Sequence, residues 1–203
     1  MQKNRHLIFF YFLLFTITAY TQEEGFTSQP TKRGEYSLVA YISGGAGYYI
    51  SNRGVPHQFR SNISNRGRIG TVRVMWHPDH LLKVGLETGY LTFYTYSFED
   101  SVRNSGNVRL SATPLLVEWT MAVTKRINLF AGSGVYFLKT HLDYAGKTSS
   151  TQVSVGWMAA ASYIHPLSKD IGLGAEIKWM DAAETADGFI SAQVQLIWKF
   201  IKW

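Results

Sequence analysis

The residues best placed to do chemistry are charged side chains set singly into apolar runs. Arg73 stands between Val72 and Val74, Glu118 between Val117 and Trp119, and Lys199 between Trp198 and Phe200. Lys83 and Glu87 alternate with Val84 and Leu86, and Glu176 and Lys178 with Ala175, Ile177 and Trp179. If these three carboxylates and four cations are enclosed, they must pair, because an unpaired buried charge costs several kcal/mol. A second constellation is His141 with Asp143 and one of Thr148, Ser149 or Ser150, which together offer a base, an orienting acid and a nucleophile. No strand-borne Ser/His spacing supports that site, so a hydrophilic loop is the preferred reading. His77, His80 and His165 fall at expected turns, where imidazole reads as a polar turn residue; His57, like His141, lies toward a loop-rich end.

Other chemistries find little support. There is no HExxH, no P-loop and no convincing dinucleotide glycine motif; GAGYY and GSGVY read as strand glycines that relieve crowding. Cysteine is absent, which removes disulfides and thiolate metal sites. The net charge of +6 is mild and dispersed, and Lys3 and Arg5 supply two of those charges, so nucleic acid is not an expected partner. We expect no catalytic residue, no metal and no cofactor.

The elements that must position the charges are strands. Aromatics make up 15% of the 203 residues and charged residues only 17%, with 18 glycines, a mix that favours β-structure. Alternation of apolar and polar residues predicts eight strands, near Glu35–Ile50, Arg66–His77, Leu81–Phe98, Asn107–Val123, Arg126–His141, Thr151–His165, Asp170–Glu184 and Gly188–Lys202. Each exceeds the roughly 9–11 residues that a tilted strand needs to cross a membrane. The connections alternate: Pro78–His80, Thr124-Lys125 and Pro166–Lys169 are tight, whereas Ser51–Asn65, Glu99–Gly106 and Leu142–Ser150 are longer, with Thr185–Asp187 a short exception. These features predict an all-β fold, an eight-stranded antiparallel transmembrane up-and-down β-barrel, with termini and tight turns in the periplasm.

Residues 1–21 read as a signal peptide, with a basic start and an apolar core at Leu7–Ile17; Ala19 and Thr21 then place small residues before Gln22. Residues 22–34 read as a polar periplasmic linker and 35–203 as the barrel. The more apolar phase of each strand is assigned to lipid: Leu38, Ala40 and Ile42; Val72, Val74 and Trp76; Leu82, Val84, Leu86 and Tyr90; Leu115, Val117, Trp119 and Met121; Val153, Val155, Trp157, Ala159 and Tyr163; Ile171, Leu173, Ala175, Ile177 and Trp179. Both phases of the fifth strand carry apolar residues, and its lipid face stays open.

Aromatic girdles are expected at Tyr36, Trp76, Trp119, Tyr163, Trp198 and Phe200 near the periplasmic side, and at Tyr48, Tyr94, Tyr96, Phe137 and Trp179 near the outer side. The opposite phases supply a lumen network of Arg73, Lys83, Glu87, Glu118, Glu176, Lys178 and Lys199 with Gln193 and Gln195. Gly85, Gly89, Gly132, Gly134, Gly172 and Gly174 leave room for it. Eight strands enclose little more than their own side chains, so the network reads as a plug rather than an ion path.

Four stretches carry a resemblance: His77–Leu91, Pro114–Met121, Ile127–Phe137 and the terminal VQLIWKF. They resemble the small porin-like outer-membrane β-barrels of Bacteroidetes-type bacteria, similar in architecture to OmpA- and OmpX-type barrels. The resemblance implies a bacterial outer-membrane location, with outer-membrane lipid and lipopolysaccharide, the barrel-assembly machinery and an envelope protein as partners. It implies an assembly signal in Val194, Leu196, Trp198 and Phe200 or Trp203, with Trp203 out of phase with the lipid-facing row. Arg53 and Arg60, in a first outer loop without acids, offer guanidinium to lipopolysaccharide phosphates. A non-enzymatic structural or loop-binding role is the favoured expectation. An enzyme acting on lipid A or peptides through the outer loops and a narrow pore are the alternatives.

Overall fold

The computed structural model describes residues 36–50, 63–78, 83–99, 105–144, 146–185 and 188–203. The expected leader and linker, His57, His80, Leu82, Arg53 and Arg60 lie outside them. Strands β1 (Ser37–Tyr49), β2 (Ile63–Ser64), β3 (Arg66–His77), β4 (Lys83–Glu99), β5 (Ser105–Ala122), β6 (Ile127–Asp143), β7 (Lys147–Pro166), β8 (Ile171–Ala182) and β9 (Phe189–Lys202) are all antiparallel to their neighbours. β1 pairs with both β3 and β9, and β4 with β5, so eight of the strands close into a barrel. The two-residue β2 was not expected; it lies just above β3 and pairs with Tyr96 and Thr95 of β4.

Closure follows from alternation. Along β3 and the greater part of β9, successive residues are buried and exposed in turn, as a pleated strand between two environments requires. Every residue of the lipid-facing rows assigned strand by strand points outward within the described set, whereas two of the expected girdle tyrosines do not. The fifth barrel strand, β6, turns Ile127, Leu129 and Phe137 outward and Asn128, Phe130, Tyr136 and Leu138 inward.

Two turns at the periplasmic end share one construction. Val123 and Thr124 donate their backbone N–H groups to Ile127 O, and Leu167 and Ser168 do the same to Ile171 O. The Thr124 hydroxyl accepts from the N–H of Ile127, and that of Ser168 from the N–H of Ile171. The paired sequences VTKRI and LSKDI carry this pattern: an apolar residue, a hydroxyl side chain that caps the turn, two polar residues and isoleucine.

Strand lengths divide the barrel into a short and a tall side. β1, β3, β8 and β9 have 13, 12, 12 and 14 residues, whereas β4 to β7 have 17, 18, 17 and 20. The expected loop Leu142–Ser150 is therefore mostly strand: β6 runs to Asp143, β7 starts at Lys147, and their pairing continues to the tip. Lys147 to Gln152 are exposed on both faces, so this stretch carries no alternation to reveal it. The seventh-to-eighth connection includes a single 3-10 turn, Ala183–Thr185.

Two bulges correct the expected phases. In β4 the register slips between Thr92 and Tyr94, so Phe93 is an extra residue and the strand changes phase. Tyr94 and Tyr96, expected in the outer lipid girdle, instead oppose Leu110 and Val108 on the inner side. Tyr94 packs on buried Tyr49, and its ring continues into a column through Tyr96 and Phe98 to Tyr144. In β9 the slip leaves Phe200 as the extra residue, with Lys199 opposite Val39 and Ile201 opposite Leu38. The slip returns Trp203 to the outward phase. Tyr36 and Trp203 exchange backbone hydrogen bonds of 2.9 and 3.1 Å, and Tyr36 stacks between Trp76 and Trp203 at 6.3 and 6.1 Å.

Candidate functional site

The inner face is built in levels. At the centre Arg73 meets three carboxylates: Nη2 lies 2.6 Å from Glu87, Nε 2.5 Å from Glu118 and Nη1 2.9 Å from Glu176. Lys178 Nζ lies 2.7 Å from both oxygens of Glu87 and 3.1 Å from Glu176. Glu87 and Glu176 thus bridge both cations, whereas Glu118 has its ion pair with Arg73 alone among the described residues. All five side chains are shut off from solvent. Register explains the meeting: Glu87 is Arg73's direct partner across β3 and β4, while the other members reach in from β5 and β8. Gly132 stands opposite Glu118, and a Cβ there would come within 2.7 Å of Glu118 Cγ.

Amides complete the cluster. Gln195 donates to Glu176 at 2.9 Å and to the Ser43 hydroxyl at 3.2 Å, and its oxygen accepts from Ser162 at 2.6 Å. Gln193 donates more weakly to Glu176 and to Ser191. The guanidinium of Arg73 lies over the Phe130 ring at 4.1 Å, with Tyr41 on its flank at 5.7 Å. Charge delocalised over a planar group can lie on a ring face while three separate nitrogens approach three carboxylates, which the single ammonium of a lysine could not do here.

Above this level an aromatic layer fills the outer end. Phe93 meets Tyr49 and Phe189 edge-on, at 5.4 and 5.7 Å, and the Tyr49 hydroxyl donates to Thr185 O at 2.6 Å. Below it, Val39, Met75, Ile164 and Ile197 are buried on the periplasmic side. The interior is packed with side chains at all three levels.

The expected network divides. Arg73, Glu87, Glu118, Glu176 and Lys178 converge. Lys83 and Lys199 share the inner face but sit near the periplasmic end, beside the buried His77, and the ion pairs described for the three carboxylates run to Arg73 and Lys178. His77 is accordingly an inward residue of β3 rather than a solvated turn residue. Sequence reasoning missed the aromatic layer, although Phe93 keeps the inward phase of Glu87 and Leu91; the bulge acts after it and turns Tyr94 inward as well.

Of the expected periplasmic girdle, Trp76, Trp119 and Tyr163 are exposed on the outward face, and Arg126 donates to the Tyr163 hydroxyl at 3.2 Å. Trp179 also faces outward and lies over Gly188, where a Cβ would strike its ring. In the assembly stretch, Val194, Leu196, Trp198 and Phe200 point outward, with Phe200 tilted against Trp198. His141 stands opposite Ser149 on the outward face, with Asp143 two residues further along. No side-chain hydrogen bond joins these three among the described residues, and Thr148 and Ser150 lie on the other face.

Apolar side chains without and ion pairs within, on eight closed antiparallel strands, define the class: this is an outer-membrane β-barrel. Ail, the attachment invasion locus protein of Yersinia pestis, has a similar fold, with a TM-score of 0.50 at 11% identity over 85% of this chain and 100% of its own. Neisserial surface protein A matches with 0.49 at 12% over 82% and 97%, and OprG of Pseudomonas aeruginosa with 0.46 at 13% over 83% and 97%. No protein-family model matches the chain, and no curated protein does.

Proposed function

We propose that the protein is a non-enzymatic barrel of the bacterial outer membrane, exported by a signal peptide at residues 1–21 that a periplasmic linker at 22–34 follows. Its interior is a structural core and its work is done by the outer face and loops. The observation that carries this reading is the packed interior, in which an ion cluster centred on Arg73 lies beneath the Tyr49, Phe93 and Phe189 layer. An ion crossing the barrel would have to break several buried charge contacts and displace three rings. The barrel-assembly machinery reads Val194, Leu196, Trp198 and the aromatics that follow, and lipid, lipopolysaccharide or an envelope protein engages the outside.

Planar-bilayer recording from pure, folded protein tests the sealed interior. The expected trace is flat across the accessible voltage range, and steady single-channel steps that change in Glu87→Gln would replace this reading with a narrow pore.

A further inference from the structure

We infer that the tall side of the barrel carries a binding site for the phosphorylated headgroup of an outer-leaflet glycolipid, centred on Arg109 and Lys139. This rests on the reading that the barrel works through its outer face, and it names a partner for that face. The outward side of β5 and β6 changes character abruptly toward the outer end. On β6, Leu129, Val135 and Phe137 give way to Lys139 and His141; on β5, Leu115 and Thr113 lead to Ser111 and Arg109. Thr92, Ser111, Lys139 and Thr151 form one cross-strand row, and Thr95, Arg109, His141 and Ser149 form the next.

In these rows Lys139 is the diagonal neighbour of Arg109, about 7–8 Å away across an antiparallel pair. His141 is Arg109's direct partner. Two cations and an imidazole thus surround a point one phosphate can occupy, with hydroxyl side chains on both flanks. Arg68 extends the patch onto β3, and Arg68, Arg109, Lys139 and His141 are all exposed.

The charge is one-sided, and that points to a specific ligand. At the same end, the outward faces of β8, β9 and β1 present Trp179, Asp181, Ile190 and Tyr48, with no cation among the described residues. Cations spread for solubility would not spare three adjacent strands. The patch also runs without a break into the apolar band below it, where Tyr90 and Phe137 are 49% and 40% exposed. A ligand that satisfies both levels has acyl chains below and phosphate above. Guanidinium and ammonium groups at that boundary give charge-assisted hydrogen bonds to phosphate oxygens.

The test is retention of diphosphorylated lipid A by the full, folded protein in zwitterionic detergent, measured by native mass spectrometry across a lipid titration. Arg68→Gln/Arg109→Gln/Lys139→Gln is compared with Lys125→Gln/Lys169→Gln, which removes cations from the periplasmic turns. The first variant is expected to bind on the order of a hundredfold more weakly, from roughly fivefold per basic residue facing an anionic lipid layer, and the second to bind as the parent does. Equal binding by the first variant and the parent overturns the proposal, as does equal binding of lipid A stripped of its phosphates. If millimolar inorganic phosphate displaces the lipid completely, the patch is a free-anion site and the lipid assignment fails. Urea unfolding of the first variant checks that these exposed substitutions leave the barrel intact. If the parent protein itself does not retain lipid A while its conductance trace stays flat, this proposal fails and the sealed-interior reading stands.

Discussion

Arg73→Met and Glu118→Gln should differ widely in cost, although their side chains touch. Arg73 is shared by three carboxylates and shut off from solvent. Its replacement by an apolar chain of similar length leaves Glu87, Glu118 and Glu176 with Lys178 as their one described cation. Removing one partner of a buried pair costs about 3–5 kcal/mol, and three acceptors are stranded here, which puts the variant near 5 kcal/mol or beyond. Glu118→Gln acts in the opposite direction on charge. With all groups ionised, the cluster holds three carboxylates against two cations, and this change makes it two against two. The amide keeps a polar oxygen facing Arg73 and gives up only one ion pair of a cluster with a surplus carboxylate, so the variant should stay within about 1 kcal/mol of the parent.

Urea unfolding of the folded barrel in detergent micelles reads the difference. All six tryptophans lie on the outward face, so their emission follows loss of the lipid-like environment. A gap of about 4 kcal/mol corresponds to a midpoint shift of roughly 2 M urea at an ordinary m-value. Equal midpoints for the two variants would refute the shared-cation account, and so would an Arg73→Met barrel as stable as the parent.

Trp203→Ala removes one ring from the stack that joins β9 to β1 and β3, and should lower stability by about 1 kcal/mol; Trp203→Phe should recover part of it. An unfolding midpoint unchanged in Trp203→Ala would show that the stack contributes nothing. In the turn before β8, Asp170 lies 2.5 Å from Lys202. The hydrogen bond from Lys202 holds the Asp170 carboxyl below its ordinary range. A lowered value favours the folded state above the unfolded-state pKa, and that contribution fades as pH falls through the folded one. Lys202→Ala should therefore be slightly less stable than the parent at neutral pH and indistinguishable from it in acid; a difference that grows in acid would contradict the sign.

How much of this was legible depends on what each side of a strand touches. Where one face met lipid and the other the packed interior, alternation alone set the phase, as in Arg66–His77, which the sequence delimits to the residue. Above the membrane both faces of a strand meet water and the period-two signal disappears. Lys147–Ser150 therefore reads as loop, although its residues pair in register with Asp143 back to Thr140. The ion cluster was legible in part. Alternation put Lys83, Lys199, Arg73 and Lys178 on one face, but it carries no height, and height separates the first two from the others.

The bulges mark a different limit. A single inserted residue reverses the facing of everything after it, so period-two reasoning fails in a block rather than at one position. Tyr94 and Tyr96 follow the Phe93 insertion and turn inward together; Ile201 and Trp203 follow Phe200 and turn outward together. In each case the slip coincides with a gain in aromatic contact, Tyr94 upon Tyr49 and Trp203 upon Tyr36. The sequence holds a trace of both events in adjacent large apolar residues that break alternation, Phe93-Tyr94 and Phe200-Ile201. Two such residues side by side in a barrel strand cannot both keep the strict phase without putting one on the wrong side, and an insertion resolves the conflict. On that argument the inward column of Tyr94 and Tyr96 and the outward stack of Trp203 have one origin: an extra residue lets a strand reface an aromatic that strict alternation would put on the wrong side.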